Sequence, residues 1–282
     1  MEEKHRRTTR VNTAPDRDVD LQMQHNYLTT SLGGPIPKKV KMSEVHTILD
    51  VGCHLGVWAQ EVLQRYPDVE ITAIDRNSDI LARAKRIANA REIKHITFKP
   101  LILGEQLDFK DATFDLIHMR SAGTIPVQFW SELVNEFARV TRPGGWINLV
   151  QYDRGLTSSH AFSTIERMGF QLLRMQQTSL STASNNVGVA ARLYGMLLDA
   201  YLIDASYTIH AVDLGPNNTI GARDYINTML ATARAFKDAF VQSKLCSAET
   251  YDQLVRQARE ELTDPYACGY AYLISALARK DG

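Results

Sequence analysis

The sequence TILDVGCHLGVWA at residues 47–59 joins a short apolar run, a glycine-containing turn and the start of a helix pattern. The run TILDV has the length and composition of a buried strand, and the residues after the turn begin an amphipathic stretch. A turn that follows a strand of a parallel sheet lies at the carboxyl edge, where open α/β folds bind ligands. Gly52 and Gly56 would let backbone amides approach such a ligand closely. The motif therefore predicts an α/β fold with a ligand site at the end of its first strand.

Strand and helix patterns alternate from this motif onwards. The predicted strands lie at 47–51, 70–75, 96–103, 113–119, 146–152, 207–213 and 268–277. The predicted helices lie at 57–66, 78–90, 129–140, 160–177, 190–200, 224–244 and 248–262. Such alternation implies right-handed crossovers and an α/β fold with a doubly wound, mainly parallel seven-stranded sheet. By periodicity alone, the last segment could also be a buried helix.

The chain divides into three parts around this core. Residues 1–46 are expected to form an N-terminal arm and a lid helix. Within them, residues 1–20 are polar and arginine-rich, which predicts a mobile arm, and the helix pattern at 21–32 ends at Gly33. Residues 47–155 contain the ligand-binding core. Residues 156–282 contain the last two strands, with long inserted helices that we expect to cap one end of the sheet.

Composition excludes several classes of protein. The 282 residues include 32 Lys and Arg and 32 Asp and Glu, so the formal net charge is zero and a nucleic-acid partner is disfavoured. No apolar stretch is long enough to span a membrane, and none resembles a secretory signal, so we expect a cytoplasmic protein. The three cysteines, at 53, 246 and 268, show no zinc-site spacing, and no metal is expected.

Two further features accompany the glycine loop. Asp75 ends the second predicted strand, where a carboxylate can accept hydrogen bonds from both hydroxyls of a ribose. The turn TRPGG at 141–145 precedes the fifth strand. With these pieces the chain resembles class I S-adenosylmethionine-dependent methyltransferases. The resemblance is carried by ILDVGCHLGVWA, ITAIDRNSDILARAK, FDLIHMR and RVTRPGGWINLVQ, and it covers residues 47–152, somewhat over a third of the chain.

The resemblance implies a cofactor, S-adenosylmethionine, and a set of residues around it. The acid at Asp50, before the loop, favours this cofactor over a dinucleotide, for which a GxGxxG loop would be expected. Asp50 would lie at the methionine moiety, Asp75 at the ribose and Ile102 at the adenine. For Met119, ordinary core packing is an equal alternative. The expected cofactor-contacting residues are Tyr27, Asp50, Gly52, Cys53, His54, Gly56, Asp75, Arg76, Ile102, Leu103 and Met119.

Candidate acceptor and catalytic residues follow from their positions near the predicted cleft. Gln22 and Tyr27 would lie on the lid helix, Arg120 at the substrate mouth and Tyr152 just beyond strand five. The candidate bases are His54, His118 and Asp153. Two of them have a structural alternative: His118 lies within an apolar strand and could be a core histidine, and Asp153 could cap the following loop.

The chain departs from the family pattern at two positions. The family loop usually reads GxGxG, and here His54 replaces the middle glycine. If that backbone is left-handed, a histidine costs about 1 to 2 kcal/mol. The segment 99–104 also lacks the acid that often hydrogen-bonds the adenine amine. Both departures bear on the cofactor geometry.

The sequence thus predicts an enzyme that methylates a small, apolar or aromatic metabolite. One alternative is a protein of the same fold that binds S-adenosylmethionine and catalyses a cyclisation or rearrangement without methylation. Another is an RNA or protein methyltransferase. The expected partners are a small-molecule acceptor and, through the long helices, a second copy of the chain; a nucleic acid and a membrane are not expected.

Overall fold

The computed structural model describes residues 16–120, 125–180, 188–215 and 222–282. Within these ranges seven strands form one sheet, in the order β3-β2-β1-β4-β5-β7-β6. β7 is antiparallel to both of its neighbours, and the other pairs are parallel. The predicted doubly wound, mainly parallel sheet is confirmed. The strands are β1 (Thr47–Val51), β2 (Glu70–Asp75), β3 (Ile96–Pro100), β4 (Phe114–Arg120), β5 (Thr141–Thr157), β6 (Ile203–Asp213) and β7 (Gly269–Arg279).

Helices cover both faces of this sheet, and further helices pack at one of its edges. None of the described helices is both long and apolar enough to cross a membrane. The helices are α1 (Asp16–Ser31), α2 (Val57–Arg65), α3 (Ser78–Ala90), α4 (Trp130–Val140), α5 (His160–Met175), α6 (Leu193–Asp199), α7 (Ala222–Ala235), α8 (Lys237–Gln242) and α9 (Ala248–Thr263). The arm predicted at 1–20 lies outside the described residues up to residue 15, and α1 begins at Asp16.

Several predicted boundaries were wrong. β5 begins at Thr141 and ends at Thr157, so it includes the segment 141–145 that was predicted as a turn and extends beyond the predicted strand at both ends. The helix expected at 224–244 is two helices, because the Phe236 N–H donates to the carbonyl three residues back, a tight turn that ends α7. β6 begins at Ile203, four residues early, because a bulge at Asp204 interrupts the alternation from which the strand was predicted. β3 ends at Pro100, after which the Leu101 N–H returns to the carbonyl of Asp75. The last segment is a strand and not a buried helix.

Neighbouring residues of the central strands point to opposite faces of the sheet. Ile48 belongs to the same apolar cluster as Trp58 of α2, whereas Leu49 belongs to the cluster of Phe137 on α4. α2 and α3 therefore cover one face, and α4 and α6 cover the other.

A separate apolar cluster joins α5, α7, α8 and α9, which together are called the cap below. α5 follows the carboxyl end of β5, α7 follows that of β6, and α9 leads into the antiparallel β7. The cap therefore lies at the carboxyl edge of the sheet. α1 packs against α7 and against the end of β6, so it lies at the same edge.

At the opposite, amino edge of the sheet, the carboxylate of Asp115 links the starts of three strands by hydrogen bonds. Asp115 of β4 accepts hydrogen bonds from the backbone N–H groups of His46 and Thr47, at 2.9 and 2.8 Å, and from the Arg142 guanidinium, at 2.7 Å. Asp115 is mostly buried, so these contacts join β1, β4 and β5 where the three strands begin.

Asp115→Ala is expected to lower the free energy of unfolding by about 2 to 3 kcal/mol, since four donors, the Thr47 hydroxyl included, lose their acceptor. The matched control is Asp111→Ala, which removes an aspartate that is 78% exposed and pairs with Arg139. That variant should change stability by less than about 1 kcal/mol. Urea denaturation followed by circular dichroism measures both; equal effects would contradict a special role of Asp115.

Candidate active site

The turn after β1 consists largely of backbone in the left-handed region. Gly52, His54 and Gly56 have φ angles of +70°, +52° and +72°. The N–H groups of Gly52 and Cys53 both donate to the carbonyl of Ile74, at 2.8 and 3.0 Å, which fixes the turn to the end of β2. The left-handed conformation considered for His54 is thus present, with its steric cost.

The two glycines of this turn have different roles. A Cβ atom on Gly56 would lie 3.1 Å from the ring of Phe98, so glycine is required there for packing. A Cβ atom on Gly52 would meet nothing within 4 Å. Gly52 therefore borders open space at the carboxyl edge, where a ligand can approach the backbone.

Asp75 connects the turn to the loop after β2. One carboxylate oxygen accepts from the His54 N–H at 3.0 Å, and the other accepts from the Asn77 N–H at 2.9 Å. The first contact holds the strained residue 54 in place without using its imidazole. Each oxygen keeps a lone pair for a further donor, such as a ribose hydroxyl.

Asp50 is a buried carboxylate at the end of β1. It is 3% exposed, and no group of the described residues donates to its Oδ2 atom. Burial raises the pKa of Asp50 to about 7; the positive charge of Arg120 opposes this rise, and the charge of Asp75 adds to it. A buried acceptor without a donor is unusual in proteins, and a cationic donor from a ligand would satisfy it.

The thiol of Cys53 lies below the turn, in a cluster with Ala73 and Leu81. Burial raises the pKa of this thiol far above its ordinary value, and the charges of Asp50 and Asp75 raise it further. Cys53 is therefore a protonated packing residue in this structure.

His118 is buried in the sheet. Its ring stacks on Trp58 with centroids 3.9 Å apart, and its Nδ1 atom accepts from the amide of Asn148 at 3.1 Å. Burial and the charge of Arg120 lower its pKa well below the usual range. These contacts match the core-histidine alternative, because a neutral, enclosed imidazole is poorly placed to exchange protons with an acceptor.

The predicted acceptor side of the cleft lies beyond β5. The Tyr152 hydroxyl donates to Oε1 of Glu166 on α5, and the N–H of Gly155 donates to the same oxygen at 2.8 Å. Burial raises the pKa of Glu166, although these two hydrogen bonds lower it. Sequence reasoning did not find Glu166, because nothing in a helical segment marks one glutamate as facing a tyrosine fourteen residues earlier. Asp153, the other candidate here, accepts from the N–H of Gly188 at 3.4 Å.

The lid residues contact the sheet and their own helix. The Tyr27 hydroxyl donates to the carbonyl of Asp213 at 2.5 Å, and the ring packs with Val212 and Leu273. The Gln22 amide donates to Asn26 within α1. Tyr27 therefore fixes α1 to the end of β6, and the contacts described for Gln22 and Tyr27 lie within the protein.

Comparison with known proteins identifies the core. Residues 48–145 match the family model of a methyltransferase domain. Residues 48–145 thus resemble class I S-adenosylmethionine-dependent methyltransferases, as the sequence predicted. The matched range includes the glycine loop, Asp75 and the whole of β4.

Curated relatives of the domain come from fungi. The secondary metabolism regulator LAE1 of Cochliobolus heterostrophus is 30% identical over 49% of this chain and 44% of its own length. Methyltransferase str2 of Strobilurus tenacellus is 25% identical over 47% and 45%. The protein-methionine methyltransferase laeA of Emericella nidulans is 30% identical over 37% and 26%. The matched segments thus span less than half of each relative.

Solved structures share the fold. Phosphoethanolamine N-methyltransferase 2 of Haemonchus contortus, in complex with S-adenosylhomocysteine, superposes with a TM-score of 0.53 at 16% identity, over 92% of this chain and 53% of that one. The [4+2]-cyclase SpnF superposes with a TM-score of 0.50 at 16% identity, over 95% and 98%. At these identities the likeness shows the fold alone.

The methyltransferase domain fits S-adenosylmethionine, the cofactor of its family. The buried Asp50 oxygen can accept from a cationic amino group, Gly52 leaves room beside it, and Asp75 has acceptor capacity for a ribose. Among the described residues, no group of three or more His, Cys, Asp or Glu side chains is arranged to hold a metal ion.

The remaining predicted cofactor residues occupy different environments in the methyltransferase domain. Ile102 is 56% exposed just beyond β3, and Leu103 is partly buried against the core. Arg76 is exposed after β2. Met119 has no exposed surface and belongs to the cluster that includes α4, which matches the packing alternative.

Gly52→Ala is expected to weaken S-adenosylhomocysteine binding about tenfold or more, since its methyl group enters the open space that the cofactor would use. The left-handed φ angle should also lower stability by about 1 to 2 kcal/mol. Gly144→Ala is the matched control, because Gly144 has a φ of +77° near the start of β5, at the amino edge. Calorimetry should show weakened binding for the first variant only; equal affinities would place the cofactor elsewhere.

Proposed function

We propose that this chain transfers the methyl group of S-adenosylmethionine to a small, apolar or aromatic acceptor in the cytoplasm. The observation that carries the proposal is the buried Asp50 Oδ2 atom, which accepts no hydrogen bond from the described residues and lies near the open space at Gly52. Both residues belong to the segment that matches the methyltransferase family model. When bound, the cofactor supplies an electrophilic methyl group on a sulfonium. The protein's task is then to hold an acceptor in line and to exclude water.

A small acceptor is supported by what surrounds the carboxyl edge. α1, α5 and α7 all pack at this edge, so a substrate would enter between helices and not lie on an open surface. Tyr152 and Met229 are partly buried apolar side chains where α1, α7 and the sheet meet. An apolar or aromatic molecule suits such a lining.

A proton must leave the acceptor if the nucleophile is a hydroxyl or an amine. Tyr152 and Glu166 provide a route for it: the acceptor proton passes to the Tyr152 oxygen while the Tyr152 proton passes to Glu166. The raised pKa of Glu166 makes this carboxylate a better proton acceptor than an exposed glutamate. His54, His118 and Asp153 remain predictions as catalytic groups, and the contacts described above support His118 and Asp153 less than this pair.

A protein acceptor is the second candidate. The relative from Emericella nidulans is named a protein-methionine methyltransferase, and that from Cochliobolus heterostrophus a regulator. The first name gives a protein substrate for that relative, and the second names a regulator without a substrate. The cyclisation alternative has only the fold of SpnF in its favour, and the RNA alternative has the balanced charge of the chain against it.

Methyl-tritiated S-adenosylmethionine distinguishes these candidates. The chain is incubated with a panel of phenols and indoles in one arm and with total protein extract in the other, with Asp50→Ala as the inactive control. Tritium in a solvent-extractable product, together with S-adenosylhomocysteine, supports the proposal. Tritium in precipitated protein would overturn it in favour of a protein methyltransferase, and consumption of a probe without S-adenosylhomocysteine would favour a cyclase.

Glu166→Gln and Tyr152→Phe are each expected to lower methylation of a phenolic probe by about 10²-fold to 10⁴-fold, the usual contribution of acid–base catalysis. S-adenosylhomocysteine affinity should stay within about twofold, because neither residue is assigned to the cofactor. Glu132→Gln, at an exposed glutamate of α4, is the control and should be unaffected. Equal loss of turnover and of cofactor affinity would contradict this assignment.

A further inference from the structure

A chain of mostly part-buried hydrogen bonds joins α1, α2 and β4 near Asp50. Arg120 donates to Oγ1 of Thr29 at 3.0 Å and to Nδ1 of His25 at 2.6 Å. The other ring nitrogen of His25 lies 2.6 Å from Glu61, which also accepts from Arg65 at 2.5 Å. His25 and Thr29 are almost completely buried. The sequence resemblance to methyltransferases assigns no role to this chain of contacts.

The chemistry of the groups fixes the protonation state of His25. A guanidinium can only donate, so the Nδ1 atom facing Arg120 must accept, and the ring proton must lie on Nε2, facing Glu61. His25 is therefore neutral while α1 is docked. Burial lowers its pKa, the hydrogen bond to Glu61 opposes this, and the charge of Arg120 lowers it further.

Arg120 and Asp50 lie on the same face of the sheet. Asp50 pairs in register with His118 on β4. Arg120 lies two residues after His118, so the side chain of Arg120 is on the same face of the sheet as that of Asp50 and two residues nearer the carboxyl edge. The buried charges of Arg120 and Asp50 attract each other, and Arg120 is the positive charge that acts on this carboxylate.

We propose that Arg120, held by His25 and Thr29 of α1, is a positioning residue for the cofactor: its charge prepares the Asp50 carboxylate to receive the cationic amino group. The inference rests on the proposed function, since it assumes that Asp50 receives that amino group. It adds that α1 acts on the cofactor site through Arg120, although α1 lies outside the segment that matches the family.

Electrostatics explains why the arrangement is needed. Burial and the charge of Asp75 both favour the neutral form of Asp50, and among the described residues it is the charge of Arg120 that favours the ionised form. The other titratable neighbours do not contribute a positive charge, because His118 is neutral and Cys53 is protonated. Without Arg120, Asp50 would be a neutral acid at pH 7 and a poor partner for an ammonium group.

The arrangement also couples α1 to the cofactor. If docked α1 holds Arg120 where it strengthens cofactor binding, then bound cofactor must strengthen the docking of α1 by the same factor. Protonation of His25 would place a second N–H against Arg120 and break the contact, so acid should release α1.

Calorimetric titration with S-adenosylhomocysteine between pH 6 and pH 9 tests the inference. For the unmodified chain, affinity should fall about tenfold per pH unit below a midpoint near 7, as Asp50 becomes protonated. Arg120→Gln should move that midpoint upward by about one unit or more. Arg120→Lys should restore part of the shift, because it returns the charge without the two-pronged contact.

Two further variants separate positioning from folding. Thr29→Val and His25→Gln keep Arg120 but weaken its attachment to α1, and they should shift the midpoint in the same direction by a smaller amount. Arg142→Gln removes the ion pair between Arg142 and Asp115 at the amino edge. This variant should lower stability and leave the midpoint of the pH titration unchanged. If Arg120→Gln does not fold, Thr29→Val and His25→Gln decide the question.

The outcomes are distinct. A midpoint that is the same in all variants, with only stability reduced, would overturn the positioning role and leave the proposed function intact. Failure of the unmodified chain to bind S-adenosylhomocysteine at any pH would overturn the proposed function and this inference with it. Hydrogen exchange of α1 should slow when S-adenosylhomocysteine is added; unchanged exchange would contradict the coupling.

Discussion

The hydrogen bonds that fix the turn after β1 to the end of β2 are the constraint on which the site depends. The carbonyl of Ile74 accepts from Gly52 and Cys53, and the Asp75 carboxylate accepts from His54. Together these contacts hold three left-handed residues in one short turn. Because the turn is held by β2 and not by its own side chains, its open side remains available to a ligand. The strain at His54 is thereby balanced by a charge-assisted hydrogen bond to its backbone, which is why a histidine can replace the usual glycine.

Hydrophobic periodicity was sufficient to predict the sheet, because parallel strands alternate with amphipathic helices and each pattern has its own period. It failed where local geometry breaks the period, as at the bulge of Asp204 and the tight turn at Phe236. The loop residues were found from type and spacing. The pairs Tyr152 with Glu166 and His25 with Glu61 were not, because a partner is chosen by the packing of helices on the sheet. Arg120 was expected at an acceptor mouth, whereas its guanidinium contacts α1, ninety-one residues earlier at Thr29.

Buried charge sets the requirements on the rest of this edge. A carboxylate as enclosed as Asp50 is unfavourable unless an opposite charge or several donors compensate for the lost water. Arg120 supplies the charge, but a buried guanidinium also needs acceptors, and α1 provides them through His25 and Thr29. Each group is therefore stabilised by the next. This chain of contacts ends at Glu61, whose second carboxylate oxygen accepts a hydrogen bond from the half-exposed Arg65. The N-terminal helix is tied in this way to the interior of the domain.

The family match and the substrate question concern different parts of the chain. The matched residues 48–145 account for the turn, Asp50 and Asp75, which are the groups that suit a cofactor. An acceptor would instead meet α1, α5 and α7, which lie outside that range. Relatives that share only the matched range could therefore use the same cofactor and differ in acceptor; of the two fungal names, one gives protein methionine as its acceptor and the other gives none. It follows that the acceptor of this chain has to be inferred from the side chains of α1, the cap and the end of β5, where we propose that Tyr152 and Glu166 act as a proton-accepting pair at an otherwise apolar boundary.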